Sequence, residues 1–436
     1  MKQFYVLAPC VMALSIVCQC QTESPSVLAQ GSTTVRLSVD EAVAEALQAN
    51  PEVQAAVRRL SLAQLKTNTA RSLDDPMLMV RDWDTPLRQP WDLNQAQLMV
   101  GVQRTFLSKD KRDARAKIAG DDVDVAASEL EATRQEIAVE VRKTCADLKR
   151  LTDEMKLHDR EGSLLKEALA GALAEYTTGK TSQADVLKAQ MAVTRLNEHL
   201  LQLEEEHDTA AAELDALMGR RPAEPVEITG TYTEPIEPPS IETLEQTAIE
   251  NRPELTALRK GIARAKDGSQ LTRLAMKPDF TVAAGYMLMP SGSYARGAYM
   301  AELSMNLPMW NRERHEGEAK QADAAAAVTG SELEARTQAV FLEVRRAQIE
   351  TQTAERRMKL YRDTLLPQAE AAFKATTAAY QNNRGEFQTL FESQSLLLDI
   401  QDAYYNASAA ADKGIAELSR AIGAPVPATS IQGRNK

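Results

Sequence analysis

Two stretches of the sequence occupy matching places in a repeated pattern: YTTGKTSQADVLKAQ (residues 176–190, here the first tip) and YQNNRGEFQTLFESQ (residues 380–394, the second tip). Each lies between two long segments with helical periodicity. Each supplies a glycine and small polar residues before a new apolar period begins, which is typical of the turn in an antiparallel helical hairpin. The sequence therefore predicts two long helical hairpins.

The spacing of matching features predicts an internal duplication. Tyr176 and Tyr380 are 204 positions apart, and Asn50-Pro51-Glu52 and Arg252-Pro253-Glu254 match at an offset of 202. Self-similarity of this kind covers essentially the whole mature chain. It predicts a first repeat at 30–221, a second repeat at 240–424 and a C-terminal tail at 425–436. Five prolines in 222–239 predict an extended linker between the repeats.

Residues 1–29 have the features of a secretory signal peptide. Lys2 gives a positive start, and the apolar run that follows is too short to span a bilayer. Ala29 ends a small-residue cleavage pattern, whereas Cys18 and Cys20 leave a lipid-modified N-terminus as the alternative. No later stretch has 18 consecutive apolar residues, so a membrane-spanning part of this chain has to be built from strands.

Composition argues against several classes of protein. The 436 residues carry a net charge of −11, which argues against a nucleic-acid partner. After the leader only Cys145 remains, so an intrachain disulfide and a cysteine metal cluster are excluded. We find no nucleophile–base pair, phosphate loop or metal-ligand spacing, and we expect no enzyme activity, no cofactor and no metal site. The four histidines are expected at solvated helix positions: His158, His199, His207 and His315.

Each repeat contains a segment in which the helical period changes to alternation. In the first repeat, 77–84 and 95–106 read as strands; in the second, 280–289 and 299–307 alternate apolar with polar or small residues. About ten residues is the length at which a tilted strand crosses a bilayer. Near the strand ends lie aromatic residues of the type found at membrane interfaces: Trp83, Trp91, Tyr294 and Trp310.

The helices after each pair of strands are very long. Helical patterns run from 111 to about 177 and from 312 to about 381, which gives roughly 100 Å each at 1.5 Å per residue. Pro367 predicts a local distortion in the second. Four strands cannot close a barrel alone, and lipid does not tolerate free strand edges. Closure therefore predicts oligomerisation; three chains give twelve strands around an aqueous lumen, although closure alone also permits a dimer or tetramer.

The ordered set of these features resembles the TolC-type outer-membrane efflux factor family, over about residues 36–424. The features are the duplicated helix–strand–strand–helix–helix order, the Asn50-Pro51-Glu52 and Arg252-Pro253-Glu254 starts, and the first tip. Leu365-Leu366-Pro367-Gln368-Ala369 also resembles the heavy-metal and multidrug branch. The resemblance implies a mostly helical α+β fold: a trimeric 12-stranded outer-membrane β-barrel, four strands per chain, continued by a coiled-coil α-barrel in the periplasm.

The resemblance also implies functional residues and partners. It implies lipid contact for the strands, and docking of the tips to a periplasmic adaptor protein that works with an inner-membrane pump. Alignment of the second tip places Thr389 and Glu392 where family members narrow the pore, so these two are the predicted gate residues. The predicted docking residues are Tyr176, Gly179, Ser182, Asp185, Leu187, Tyr380, Arg384, Gly385 and Phe387.

Other interpretations of the same residues stay open. Asp185 is also placed to stabilise the start of a helix, and Glu392 to lie on a solvated surface. A conduit for type I protein secretion is predicted by the same architecture, and the sequence does not separate it from an efflux conduit. A periplasmic coiled-coil adaptor is a third possibility, but it predicts neither ten-residue amphipathic strands nor a duplicated hairpin.

Overall fold

The structure is a computed structural model. It describes residues 35–83, 97–179, 181–221, 226–230, 232, 239–289, 297–382, 384 and 387–426. The predicted signal peptide, the interfacial Trp91 and Tyr294, and nearly all of the C-terminal tail lie outside the described residues. All described residues belong to one structural unit, 34–436.

The first repeat has the predicted helix–strand–strand–helix–helix order, preceded by a short strand that was not predicted. Its elements are β1 (Val35–Ser38), α1 (Val39–Ala49), α2 (Pro51–Ala70), β2 (Met77–Trp83), β3 (Gln97–Phe106), α3 (Lys109–Thr177) and α4 (Gln183–Leu217). A further short strand, β4 (Val226–Thr229), lies in the linker. At 69 residues, α3 is about 100 Å long. None of the helices in the described part of the chain is both long and apolar enough to cross a membrane.

The second repeat has the same helix–strand–strand–helix–helix order, with one interruption. Its elements are α5 (Ile241–Asn251), α6 (Pro253–Leu274), β5 (Phe280–Leu288), β6 (Gly297–Met305), α7 (Arg312–Leu360), α8 (Leu366–Gln381) and α9 (Phe387–Ile422). Between α7 and α8, Tyr361–Leu365 form a π-helical turn. Pro367 lacks an N–H and its ring crowds the preceding turn, so a widened turn just before it is the expected response. The predicted distortion is confirmed.

Serine side chains cap the starts of several helices. The Ser38 hydroxyl accepts a hydrogen bond from the backbone N–H of Glu41 at 3.3 Å, and the Glu41 carboxylate accepts one from the backbone N–H of Ser38 at 2.8 Å. This reciprocal pair is a capping box. Ser108, Ser182 and Ser240 begin α3, α4 and α5 in the same way, with a serine hydroxyl bound to an early backbone N–H.

The long helices pack through seams of residues that recur every seven positions. On α3 the buried residues of one such series, the α3 seam, are Leu130, Ile137, Thr144, Leu151, His158, Leu165 and Ala172. On α4 the matching series, the α4 seam, is Ala189, Leu196, Leu203 and Ala210. A seven-residue repeat is the signature of coiled-coil packing, in which helices wind around each other. Besides α4, α3 contacts α9 and α6, so the two repeats are interlocked.

The four longer strands form one antiparallel sheet in the order β2-β3-β5-β6. The register pairs Val102 with Ala284 and Tyr286 with Tyr299, so apolar side chains from all four strands share one face. That face is exposed in the single chain and includes Leu78, Val80, Val100, Val102, Phe280, Val282, Tyr286, Leu288, Tyr299 and Leu303. The predicted strand 299–307 has the right length but lies two residues too late in the chain, since β6 begins at Gly297 and ends at Met305, and Pro308 starts a 3-10 turn.

A second, smaller sheet was not predicted from the sequence. Within the proline-rich linker, Val226–Thr229 pairs in parallel with Val35–Ser38, and Arg36 donates a hydrogen bond to Glu227 at 3.0 Å. Val226 and Ile228 are buried in the main core, together with Leu148, Leu214 and Met218. Part of the linker is therefore anchored against the helices of the first repeat.

Candidate functional site

The first tip is a tight turn stabilised by its own side chains. Gly179 has a φ of 74°, a left-handed conformation that favours glycine, and it ends the turn after α3. Ser182 caps α4, and the carboxylate of Asp185 accepts a hydrogen bond from the Ser182 hydroxyl at 2.6 Å. This bond lowers the pKa of Asp185. Asp185 therefore has a structural partner within the turn, which leaves its predicted docking role untested.

Apolar side chains next to this turn lie on the surface. Tyr176 is 47% exposed and Leu187 is 52% exposed, while the neighbouring Val186 and Ala189 are buried. Exposed large apolar side chains at the end of a hairpin are suited to contact another protein.

The second tip is described only in part. Arg384 is exposed, and α9 begins at Phe387, whose side chain lies outside the described residues together with Gly385. The predicted gate residues Thr389 and Glu392 lie three positions apart on the first turns of α9, and both are exposed. Their spacing places them on one face of the helix.

The structure brings the two tips together within one chain. The Tyr380 hydroxyl donates a hydrogen bond to Glu175 at 3.3 Å, and Lys188 Nζ donates one to Gln388 Oε1 at 3.1 Å. Gln388 Nε2 in turn donates to Glu392 Oε1 at 2.7 Å. A polar chain thus runs from Lys188 on α4 to the predicted gate carboxylate on α9.

The prediction of solvated positions for the histidines is wrong for His158. Its side chain is buried, with Nδ1 2.9 Å from a carboxylate oxygen of Glu161 and Nε2 3.0 Å from one of Asp402. Burial lowers the pKa of His158, but the bonds and charges of Asp402 and Glu161 outweigh it and raise the pKa to about 9. The sequence feature that indicates burial of His158 is the seven-residue spacing, which places it in the α3 seam. Its partner Asp402, 244 positions away, is not marked by any such spacing.

The comparisons with known proteins agree with the geometry. The family model described as outer membrane efflux protein matches residues 42–220 and 244–424, one match in each repeat. The chain belongs to the outer membrane efflux protein family. Because the two matches coincide with the two repeats, the predicted internal duplication is confirmed.

Among the relatives of this efflux protein is the cobalt-zinc-cadmium resistance protein CzcC of Cupriavidus metallidurans. The two are 22% identical over 384 residues, which cover 86% of this chain and 89% of the relative. The solved structure of CusC has a TM-score of 0.74 at 14% identity, covering 90% of this chain and 94% of that one. VceC of Vibrio cholerae has a TM-score of 0.70 at 20% identity, covering 89% and 97%.

These findings confirm the mostly helical α+β fold and the location in the outer membrane. They also confirm the prediction of an efflux function. The roles assigned to individual residues of the two tips stay predictions, since the comparisons do not reach single residues.

Proposed function

We propose that this protein is the outer-membrane conduit of a tripartite efflux system. The observation that carries the proposal is the direct continuation of an apolar, exposed sheet into two long helical hairpins that end side by side. In this arrangement the sheet lies in the membrane and the hairpins extend into the periplasm. A periplasmic adaptor protein and an inner-membrane pump then deliver the cargo to the tips.

The proposed assembly is a homotrimer. In the described residues the edges of β2 and β6 have no strand partner. Backbone groups in lipid need internal hydrogen bonds, so β2 of one chain has to pair with β6 of another. Three chains of four strands form a 12-stranded barrel, which is wide enough for an aqueous lumen. The exposed apolar face of the sheet then contacts lipid, and Trp310, which is 78% exposed, is placed beyond β6 as an interfacial anchor.

The tips are the proposed docking and gating region. Tyr176 and Leu187 supply exposed apolar surface on the first tip, and Arg384 supplies an exposed cation on the second. Glu392 is held by Gln388, so three copies in a trimer form a carboxylate ring. Such a ring favours cations in the pore.

The proposed cargo is divalent metal ions. The supporting observation is the similarity to CzcC, whose name assigns it to cobalt, zinc and cadmium resistance, over 86% of this chain. The test is a deletion strain carrying the wild-type gene or a variant, grown on graded cobalt, zinc and cadmium and, separately, on drugs. Sensitivity of the deletion strain to drugs alone would overturn the metal assignment and keep the conduit.

The docking proposal is tested with Leu187→Glu. A charge at this exposed apolar position should abolish resistance while heat-modifiable trimers in the outer membrane remain. The matched control is Leu201→Glu on the same helix, where the side chain is 66% exposed but lies far from the tip. Full resistance with Leu187→Glu, or equal loss with both variants, contradicts docking at the first tip.

The gate proposal is tested in planar bilayers with Glu392→Ala. Loss of the carboxylate ring should lower the preference for cations and change the single-channel conductance, whereas Glu204→Ala, at an exposed position on α4, should leave both unchanged. Unaltered currents would remove Glu392 from the gate.

A further inference from the structure

One position of the α3 seam breaks its chemical pattern. Six of the seven residues are aliphatic or small, and the seventh is His158, which is 5% exposed. An imidazole in such a seam has to find polar partners, because a buried polar group without one is costly. Its two ring nitrogens are both within hydrogen-bond distance of carboxylates, Glu161 on its own helix and Asp402 on α9.

A second imidazole lies against this one. The ring of His199 on α4 meets the ring of His158 edge to face, with centroids 4.7 Å apart. One ligand atom from each of His158, His199 and Asp402 can be chosen so that all three lie within 4.8 Å of one another. The three residues come from three different helices, so their convergence is a property of the packing and not of one local turn.

The carboxylate of Asp402 has unused bonding capacity. Its Oδ2 lies 3.0 Å from His158 Nε2, whereas its Oδ1 is buried and has no hydrogen-bond partner in the described part of the chain. A buried carboxylate oxygen is normally satisfied by a donor, a water or an ion.

We propose that His158, His199 and Asp402 bind one divalent transition-metal ion, of the class of Zn²⁺ or Co²⁺. Two imidazoles and a carboxylate, with a water in the fourth position, form a donor set that Zn²⁺ accepts. Ligands about 2.0–2.1 Å from Zn²⁺ at tetrahedral angles lie about 3.3 Å apart. His158 Nε2 and Asp402 Oδ2 are already close to that separation, and His199 closes the site by a side-chain rotation.

Glu161 has the place of the supporting carboxylate in this site. Histidine ligands usually donate the second ring N–H to a carboxylate or carbonyl, which fixes the ring. Here His158 Nδ1 faces Glu161 at 2.9 Å, which leaves Nε2 for the ion. On binding, the ion takes the place of the proton between Nε2 and Asp402, and that proton leaves to solvent.

The site has an entry path and has no counterpart at the matching positions of the two repeats. A cavity of about 360 Å³ opens beside it and is also lined by Met191 and by Lys188 and Gln388 of the tips. At the offset of 204, the positions matching His158, His199 and Asp402 hold Arg362, Ala403 and Glu198, which do not form an equivalent donor set. The ion joins α3 and α4 of the first repeat to α9 of the second, so it ties the two hairpins together above the tips. An ion held between these helices is separate from any cargo in the lumen.

Cobalt absorption tests the site directly. Untagged full-length protein in detergent, freed of metal with a chelator, is titrated with Co²⁺, and the visible d–d bands are recorded. The wild type should bind one ion per chain with the intense bands of a four-coordinate site. His199→Ala should lose the bands, and Asp402→Asn, which keeps the side-chain shape, should weaken binding by at least about 10-fold. The control is His207→Ala, two turns further along α4 and outside the cluster.

Thermal melting with and without Zn²⁺ separates loss of binding from loss of fold. Zn²⁺ should raise the melting temperature of the wild type and of His207→Ala, and should leave that of a folded His199→Ala variant unchanged. His199→Gln serves the same purpose should the alanine variant not assemble. The proposal is overturned by a wild type that binds no stoichiometric Co²⁺, or by His199 variants that bind it as tightly as His207→Ala.

Discussion

The two helical hairpins hold equivalent places in the duplicated sequence, yet they are built differently. In the first, α3 is one continuous helix of 69 residues whose buried seam recurs every seven positions. In the second, the matching segment is divided into α7 and α8 by the π-helical turn Tyr361–Leu365. Near this turn, a small cluster of buried residues packs α7 against α9: Ala354, Met358, Ala407 and Ala411.

This contrast shows that the two repeats share the order of helices and strands but not the side chains that pack between them. Both repeats end their returning helix with a glycine at a φ of 70°, Gly219 and Gly423. Both begin a helix with a proline, but the residue before it is Asn50 in one repeat and Arg252 in the other. The backbone conformation constrains the residue at the helix end to glycine. The residue before the proline is less constrained, because different side chains can stabilise the start of that helix. Three sets of substitutions test this interpretation.

Substitution of the two helix-ending glycines should have the largest effect, and the same effect in both repeats. A Cβ at Gly219 would lie 2.6 Å from the carbonyl oxygen of Ala49, and one at Gly423 would lie 2.8 Å from backbone atoms of Asn251. Left-handed strain together with a backbone clash should cost at least about 3 kcal/mol for valine at either position. Denaturant unfolding of the purified protein measures it.

Gly179→Ala is the control for this pair. Gly179 also has a positive φ, but a Cβ added there would have no neighbouring atom within 4 Å in the described part of the chain. The substitution should therefore cost only the left-handed strain, about 1–2 kcal/mol. A marked difference between Gly219→Val and Gly423→Val would show that the repeats do not share this backbone constraint.

Arg252→Ala should have the next largest effect. Arg252 is fully buried and contacts Glu343 at 2.5 Å and Glu254 at 3.2 Å. Breaking a buried ion pair costs about 3–5 kcal/mol, but Glu343 is part-exposed and keeps Arg336 at 2.8 Å, so we expect about 2–3 kcal/mol. Arg252→Asn should be milder, because asparagine can cap α6 as Asn50 caps α2. Equal losses for both variants would show that capping does not replace the ion pair.

Asn50→Ala should have the smallest effect of the three. The Asn50 side-chain oxygen accepts hydrogen bonds from the backbone N–H groups of Glu52 and Val53, and its amide donates to the carbonyl of Leu217 at 2.9 Å. Loss of a cap costs about 0.5–2 kcal/mol. Asn50→Asp keeps the capping oxygen and removes the donor, so unfolding of this variant isolates the bond to Leu217. If Asn50→Ala lowered the free energy of unfolding by more than Arg252→Ala does, the expected order of these two substitutions would be wrong.

Much of the architecture was predictable because its signals are local. Ser38 and Ser182 mark helix starts through contacts within three residues, and Gly179 marks a turn through its own φ. The long strands follow from alternation, and their observed ends differ from the predicted ones by at most two residues. The two tips were also predictable from local residues, because each has a glycine and small polar residues between two helical segments. Gly385 and some residues near it lie outside the described residues.

The sequence by itself determined the helices, the strands, the duplication and the family, because each of these rests on short-range periodicity repeated along the chain. Only the tertiary structure decided that part of the linker pairs with Val35–Ser38, that Lys188 reaches Gln388, and that His158 meets His199 and Asp402. Contacts of this kind join residues up to 244 positions apart. Their chemistry depends on how the seams align between helices, and no local pattern in the chain encodes that alignment.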